Sequence, residues 1–320
     1  MDVTARNVLG IKSILGTELL KKHHIEQILD CAFYFKAIRN RKAQFPKSLS
    51  GKNAVMLFFE PSTRTRSSFA LAAKNLGGNT VVLTKEASST GKGETLVDTA
   101  RTIEAMQPDI LVLRHPSAGS PHHIDRALGI PVVNAGDGFH EHPTQALLDL
   151  MTLKEFKGDF SGMRVLIVGD IAHSRVARSD IYALQTMGAK VSVCGPPTLL
   201  PPQIEALGVT AYTDLKKAVR DQDVVMVLRI QLERLNPAQN PSGGEYARFY
   251  GVSTETLKHC KPDVLIMHPG PVNRGVELSP DVVDGPRSVI LNQVGNGVFV
   301  RMAIFHLLTG GEAVHEGTMV

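Results

Sequence analysis

Short, nearly continuous apolar runs alternate along the chain with longer stretches whose apolar positions recur every three or four residues, the pattern of strands buried on both faces and the helices that cover them. Ala54 to Phe59 (AVMLFF), Thr80 to Leu83, Ile110 to Leu113 and Val132 to Asn134 read as one series of buried strands. Arg164 onward (RVLIVGD), Lys190 to Cys194, Asp223 to Leu228 and Asp263 to Met267 read as a second. Strands separated by helical segments pair in parallel, so the expectation is an α/β protein of two doubly wound domains, each with a mostly parallel sheet flanked by helices. Between the two series, PTQALLDLMTLKE (Pro143 to Glu155) carries Ala146, Leu147, Leu150, Met151 and Leu153 at helical spacing, which predicts a helix crossing between domains near residue 150. GVFVRMAIFHLLT (Gly297 to Thr309) is again helical and stops at Gly310 and Gly311. The predicted division is therefore 1–150, 151–296 and a C-terminal helix in 297–320 that packs back on the first domain.

A length of 320 residues agrees with two domains at about 150 residues each. With 43% hydrophobic and 21% charged residues and a mean hydropathy of −0.01, the composition is that of a folded soluble chain, not a disordered tail or a membrane bundle. A net charge of +4 is small for this length and argues against nucleic acid unless the cations are concentrated. Cys31, Cys194 and Cys260 form no CxxC pair and no even framework, so neither a structural metal nor a disulfide scaffold is expected. The first residues lack the pattern of a secretory leader, no stretch reaches the roughly 18 apolar residues of a membrane span, and a cytoplasmic location follows as the expectation.

The chemistry gathers at strand ends. AVMLFF runs into Glu60-Pro61 and then Ser62-Thr63-Arg64-Thr65-Arg66, followed by a helical segment up to Gly77-Gly78. Unpaired N–H groups at a helix start, hydroxyls and a guanidinium together suit a phosphate, although Ser and Thr also serve as ordinary caps; two arginines among the hydroxyls favour the anion. There is no GxxxxGK[ST] loop, and RVLIVGDIAHSRVARS lacks the glycines a dinucleotide pyrophosphate needs. ASSTGKGE (Ala87 to Glu94) with its single Lys92 suits a mobile flap, although taken alone it reads better as a solvated surface loop. Arg114 and His142 follow strands of the first series, and Arg175 and Arg229 follow strands of the second, at the carboxyl ends where parallel sheets bind ligands. Two arginines there suit a substrate with two carboxylates, against the plainer possibility of surface ion pairs. In His268-Pro269-Gly270-Pro271 the Pro269 carbonyl either faces a ligand or only turns the chain. His140-Glu141-His142 brings alternate residues to one face but has no further ligand at zinc spacing, so no metal is expected.

PSTRTR, SSTGKGETLVDT, RHP, HPTQALLDL, RVLIVGDIAHSRVARS, LRIQLER and HPGPVNRGVEL, in this order from about Phe58 to Asn296, closely resemble the aspartate carbamoyltransferase catalytic-chain family. The resemblance implies transfer of the carbamoyl group of carbamoyl phosphate to L-aspartate, giving N-carbamoyl-L-aspartate and phosphate in pyrimidine biosynthesis, with no cofactor or metal. It implies a carbamoyl phosphate-binding domain over 1–150 and an aspartate-binding domain over 151–296. Ser62, Thr63, Arg64 and Thr65 would hold the phosphate, with Thr65 also near the carbonyl oxygen; Arg114 and His142 would polarise that carbonyl; Gln145 and the Pro269 carbonyl would hold the amide nitrogen. Ser88 and Lys92 match flap residues that come from a neighbouring subunit, which implies a homotrimer with shared sites. Arg175, Arg229, Gln231 and Lys92 would hold aspartate, with Gly270 beside its amino group and that of carbamoyl phosphate. Arg64, Thr65, Lys92, Arg114 and His142 form the implied catalytic set.

Charge counting agrees: carbamoyl phosphate brings about −2 and aspartate two carboxylates, against five cations in Arg64, Arg114, Arg175, Arg229 and Lys92, which the two lobes are expected to pool in one cleft. The chain departs from the family's best-known form in carrying one lysine before Gly93 and Val176 after Arg175. HPGPVNRG is similar to members that lack a regulatory chain and associate with dihydroorotase, so a dihydroorotase or a regulatory chain is a further expected partner. The rival of the same fold is ornithine carbamoyltransferase, whose His-Cys-Leu-Pro motif is replaced here by His268-Pro269-Gly270-Pro271. A noncatalytic assembly subunit of this fold is the rival from another class, and it predicts lost site residues where all the matched ones are present.

Overall fold

In the computed structural model, residues 8–84, 94–230 and 241–311 are described. The first unit takes these residues up to Met151 and again from Gly295; the second is Thr152–Val294. The first holds α1 (Lys22–Asn40), β1 (Asn53–Phe58), α2 (Thr63–Asn75), β2 (Asn79–Thr84), α3 (Leu96–Glu104), β3 (Ile110–His115), α4 (Ser120–Ala127), β4 (Val132–Asp137) and most of α5 (Pro143–Lys157). Its four strands lie in the order β2-β1-β3-β4, all parallel. The second holds β5 (Arg164–Val168), α6 (Arg175–Thr186), β6 (Lys190–Cys194), β7 (Thr210–Tyr212), α7 (Leu215–Ala218), β8 (Val224–Val227), α8 (Gly243–Tyr250), α9 (Thr254–Leu257), β9 (Leu265–Met267) and α10 (Pro280–Val283). Its five strands lie in the order β7-β6-β5-β8-β9, again all parallel. The last helix, α11 (Ile290–Leu308), starts in the second unit and ends in the first.

The apolar runs become central strands because both faces of each sheet are covered. Val55, Leu57, Leu111 and Leu113 pack with Ala100 and Ile103 of α3 and Ile124 of α4, each large side chain contributing about 1.5–3 kcal/mol by leaving water. Phe69 of α2 meets Phe305 of α11 with ring centroids 5.6 Å apart. In the second unit Leu166, Val168, Val225, Val227 and Ile266 form the corresponding core with Leu215 and Ala218 of α7. One strand departs from expectation: β2 is an edge strand, not a buried one, with Val81 and Val82 49% and 40% exposed.

Each strand order contains one reversal. In the first sheet the chain progresses outward in opposite directions from β1 and β3, so the connections leaving their carboxyl ends diverge to opposite faces and open a crevice there. The same reversal lies between β5 and β8 in the second sheet. Gly169, just past β5 at φ +144°, lets these two ends approach: a Cβ there would meet the Cβ of Leu228 at 2.8 Å.

Candidate active site

At the first reversal, β1 leads through Glu60, Pro61 and Ser62 into α2. Ser62 stands at the N-cap, yet its side chain caps nothing and the first turn contains no acidic residue. Elsewhere the hydroxyls of Thr95, Ser174, Ser242 and Ser253 do accept a backbone N–H of the helix they open. The start of α2 therefore keeps the donors and the positive dipole end that attract an anion, next to Thr63, Arg64 and Thr65. Thr63 and Arg64 are exposed and Ser62 and Thr65 half-buried.

Arg114 reaches the same crevice from the end of β3, where it is in register with Phe58 of β1. Its Nε donates to Glu60 at 3.1 Å with both side chains 12% exposed, and Nη1 donates to the Ala135 carbonyl at 3.3 Å. Two chemically different groups thus aim one guanidinium.

His142 is buried at the entrance to α5 and is carried by a tight turn. Asp137 N–H donates to the Glu141 carbonyl at 3.1 Å, while the Asp137 carboxylate accepts from Glu141 N–H at 3.0 Å, Asn134 Nδ2 at 2.8 Å and Gly119 N–H at 2.7 Å. Glu141 in turn accepts from the backbone N–H and hydroxyl of Thr17 at 2.6 and 2.7 Å. Gly16 is required beside it, since a Cβ there would meet Glu141 Oε1 at 2.2 Å. Clusters of metal-binding type do occur here, His122–Asp137–His140 and Glu18–His140–Glu141. Asp137 and Glu141, however, are turned to the protein donors that shape the His142 turn. Gln145 Nε2 donates to the Asp149 carboxylate, shared between its oxygens at 3.1 and 3.2 Å, which fixes the amide with Nε2 toward Asp149 and Oε1 the other way.

Arg301 of α11 ties these elements together beneath the crevice. Nη1 donates to Ser68 of α2 at 2.9 Å and to the Gly297 carbonyl at 3.0 Å, and Nη2 to the Thr144 hydroxyl of α5 at 3.3 Å. Its guanidinium stacks 4.9 Å from the Phe69 ring centroid. Burial lowers its pKa to about 10 while nearby Asp149 opposes the shift, so it remains a cation at neutral pH.

In the second unit, Arg175 is the first residue of α6, which Ser174 caps by accepting Ala177 N–H at 3.1 Å. Arg229 follows β8, and Pro269 and Gly270 follow β9, the strand beside it. Gly270 sits at φ +67°, and its N–H donates to His268 Nδ1 at 2.8 Å. The three thiols offer no nucleophile: burial raises Cys31 far above its ordinary value, Cys194 to about 12 and Cys260 to about 11.

Among the residues singled out from sequence, Ser62, Thr63, Arg64, Thr65, Arg114, His142 and Gln145 thus belong to the first unit, at or beside the β1–β3 reversal. Arg175, Arg229, Pro269 and Gly270 belong to the second, at or beside the β5–β8 reversal. Ser88, Lys92 and Gln231 lie outside the described residues. Sequence reasoning missed Glu60, Glu141 and Asp149, which hold Arg114, the His142 turn and Gln145, and Arg301, which bridges α2 and α5 beside them.

Residues 12–155 match the family described as "Aspartate/ornithine carbamoyltransferase, carbamoyl-P binding domain", and residues 161–308 match its "Asp/Orn binding domain". The chain is 54% identical over 297 residues to the aspartate carbamoyltransferase catalytic subunit of Syntrophobacter fumaroxidans, covering 93% of this chain and 97% of the relative. Among solved structures it is similar to aspartate transcarbamoylase from Trypanosoma cruzi in complex with carbamoyl phosphate and aspartate, with a TM-score of 0.84, 31% identity, and 94% and 97% of the two chains covered. It is equally similar in shape to ornithine carbamoyltransferase from Pyrococcus furiosus, with a TM-score of 0.85, 30% identity and 94% and 98% coverage.

Proposed function

Because the chain belongs to the aspartate/ornithine carbamoyltransferase family, we propose that it transfers the carbamoyl group of carbamoyl phosphate to the amino group of L-aspartate, yielding N-carbamoyl-L-aspartate and phosphate. The fold is common to both branches, so the choice of aspartate rests on side chains. The observation that carries it is the pair Arg175 and Arg229 at the β5–β8 reversal, two cations suited to two carboxylates and repulsive to the ammonium of ornithine. The relative named above at 54% identity is an aspartate carbamoyltransferase catalytic subunit, in agreement.

The reaction follows from these groups. The phosphate of carbamoyl phosphate sits on the start of α2 between Ser62, Thr63, Arg64 and Thr65. Gln145, its Nε2 held by Asp149, turns Oε1 to accept an N–H of the carbamoyl group, with the Pro269 carbonyl as a second acceptor. The aspartate amine, beside Gly270 and with its carboxylates on Arg175, Arg229, Gln231 and Lys92, attacks the carbonyl carbon. Charge developing on the carbonyl oxygen is met by Thr65, Arg114 and His142, and phosphate departs into the cradle that held it, with Ser88 and Lys92 closing over it.

Assembly and location belong to the same proposal. The exposed apolar residues of edge strand β2, which runs directly into the Ser88–Lys92 segment, support a second copy of the chain covering that edge, as a homotrimer with shared sites requires. Free cysteines at all three positions support a reducing, cytoplasmic setting, and no helix of the described residues is long and apolar enough to cross a membrane. The HPGPVNRG stretch supports dihydroorotase over a regulatory chain as a further partner. Purified protein given carbamoyl phosphate should form product with L-aspartate and not with L-ornithine; ornithine turnover at a comparable rate reverses the assignment. Mass in solution, alone and with dihydroorotase, tests the assembly.

A further inference from the structure

Glu277 lies in the segment following the Pro269–Gly270 turn and is completely buried. Its Oε1 accepts from the Asn273 backbone N–H at 2.6 Å and stands 3.2 Å from His268 Nε2. The direction of the histidine bond is set from the far side of the ring. Gly270 N–H can only donate, so His268 Nδ1, 2.8 Å away, carries no proton, and the ring hydrogen sits on Nε2 facing Glu277. The Asn273 contact leads to another loop: its Nδ2 donates at 3.0 Å to the carbonyl of Ile230, the residue after Arg229. One buried oxygen therefore links the loop after β8, with Arg229, to the loop after β9, with Pro269 and Gly270.

We propose that Glu277, acting through His268 and Asn273, is a positioning residue for the second substrate. It holds the Arg229 segment and the Gly270 turn at one fixed spacing, so that a carboxylate on the first and an amine beside the second are presented together. This rests on the reading that Arg229 and Gly270 hold aspartate. The linkage needs an acceptor oxygen at that point rather than a charge, because both of its donors converge on Oε1. A buried carboxyl is costly unless hydrogen-bonded, and apolar packing closes a merely structural turn at least as well. Its use at this junction is explained by the orientation it imposes.

The test compares Glu277→Ala, Glu277→Gln and Asn273→Ala in the full chain, measuring the KM for aspartate, kcat, carbamoyl phosphate binding without aspartate, and Tm. Glu277→Ala and Asn273→Ala should raise the aspartate KM by about 10- to 100-fold, the cost of misplacing a binding group by about 1 Å. Carbamoyl phosphate binding should weaken much less than aspartate binding, because its phosphate rests on the start of α2 in the first unit and only the second acceptor of its amide, the Pro269 carbonyl, lies on the perturbed turn. Glu277→Gln retains Oε1 and should restore most of the aspartate affinity. A wild-type aspartate KM in folded Glu277→Ala overturns the proposal, as does a Gln variant as impaired as Ala. If Glu277→Ala does not fold, half-buried Asn273→Ala decides alone by the same KM criterion. Arg229→Ala separates the two levels. Unchanged aspartate KM in that variant removes the underlying assignment, whereas its loss together with unaffected Asn273→Ala and Glu277→Ala removes only the positioning role.

Discussion

Arg114 shows how a single side chain is given a direction. A guanidinium on a strand end has many rotamers, and here Glu60 and the Ala135 carbonyl select one; both contacts come from the neighbouring strands β1 and β4 or the residues just after them. Arg114→Ala should lower kcat by about 10²- to 10³-fold, the usual cost of removing one oxyanion donor, about 3 kcal/mol. It also removes the bond from the guanidinium to Glu60, so some stability should be lost with it. Glu60→Gln combined with Arg114→Ala should recover that stability and leave kcat low, as read by denaturant midpoint and steady-state rate on the same preparations. Unchanged turnover in the folded single variant rules out the oxyanion role. Arg114 and Arg229 were legible in the sequence because each directly follows an apolar run, and His142 and Arg175 because each stands where the loop leaving a strand's carboxyl end enters the next helix. Glu60, Asp149 and Arg301 were not, because their work is to hold other side chains. Arg301 meets Thr144 and Ser68 across 157 and 233 residues, and no spacing in the chain records such pairings.

At the level of elements, the turn from β3 into α4 depends on a neutral histidine. His115 Nδ1 accepts Ser117 N–H at 3.0 Å and lies 2.8 Å from the Ser120 hydroxyl, and burial holds its pKa below the ordinary 6.5 despite nearby Glu60 and Asp137. Below 6.5 the unfolded chain then binds a proton that the folded chain resists, so this contribution is complete above pH 6.5 and is lost as pH falls toward the folded value. The slope of unfolding free energy against pH, from urea titrations through this range, should be shallower in His115→Asn; an identical slope excludes the histidine as its source. His24, shifted in the same direction by burial, leaves part of the slope in place. Central strands were readable because burial on both faces makes them continuous apolar runs, and β2 was misread as buried for the same reason, since an edge strand that awaits a cover has the same composition. The helix α1 escaped notice because it opens on Lys21, without a Ser, Thr, Asp or Asn cap and without an acid in its first turn. Three-residue β7 is too short for any period to register. The helix α11 begins at Ile290, ahead of the expected Gly297, and its polar first half is held by tertiary bonds, Gln293 accepting His268 N–H and Asn296 accepting Lys36 Nζ.

At the scale of the whole molecule, the open question is whether one chain makes a site. Edge strand β2 exposes Val81 and Val82, with Leu71 of the adjacent α2 52% exposed, and its last residue, Thr84, stands at the outer margin of the sheet, not at its β1–β3 reversal. A chain that left its own edge to serve its own crevice would keep this apolar surface in water. In the proposed shared-site assembly, a neighbour seated on the edge would bury it. On the proposed assignments Arg64→Ala removes the phosphate-binding cation and Lys92→Ala the flap cation, so each variant assembled alone should be inactive. Unfolded together and refolded, the two should recover activity, since a site built from the Arg64 of one chain and the Lys92 of the next arises in about one position in four of a random equal mixture with cyclic symmetry. If each chain used its own Lys92, every site in the mixture would still lack one cation. Mixed trimers identified by mass and found inactive therefore argue for self-contained sites, and recovery near a quarter of the wild-type rate argues for sites completed by the neighbour.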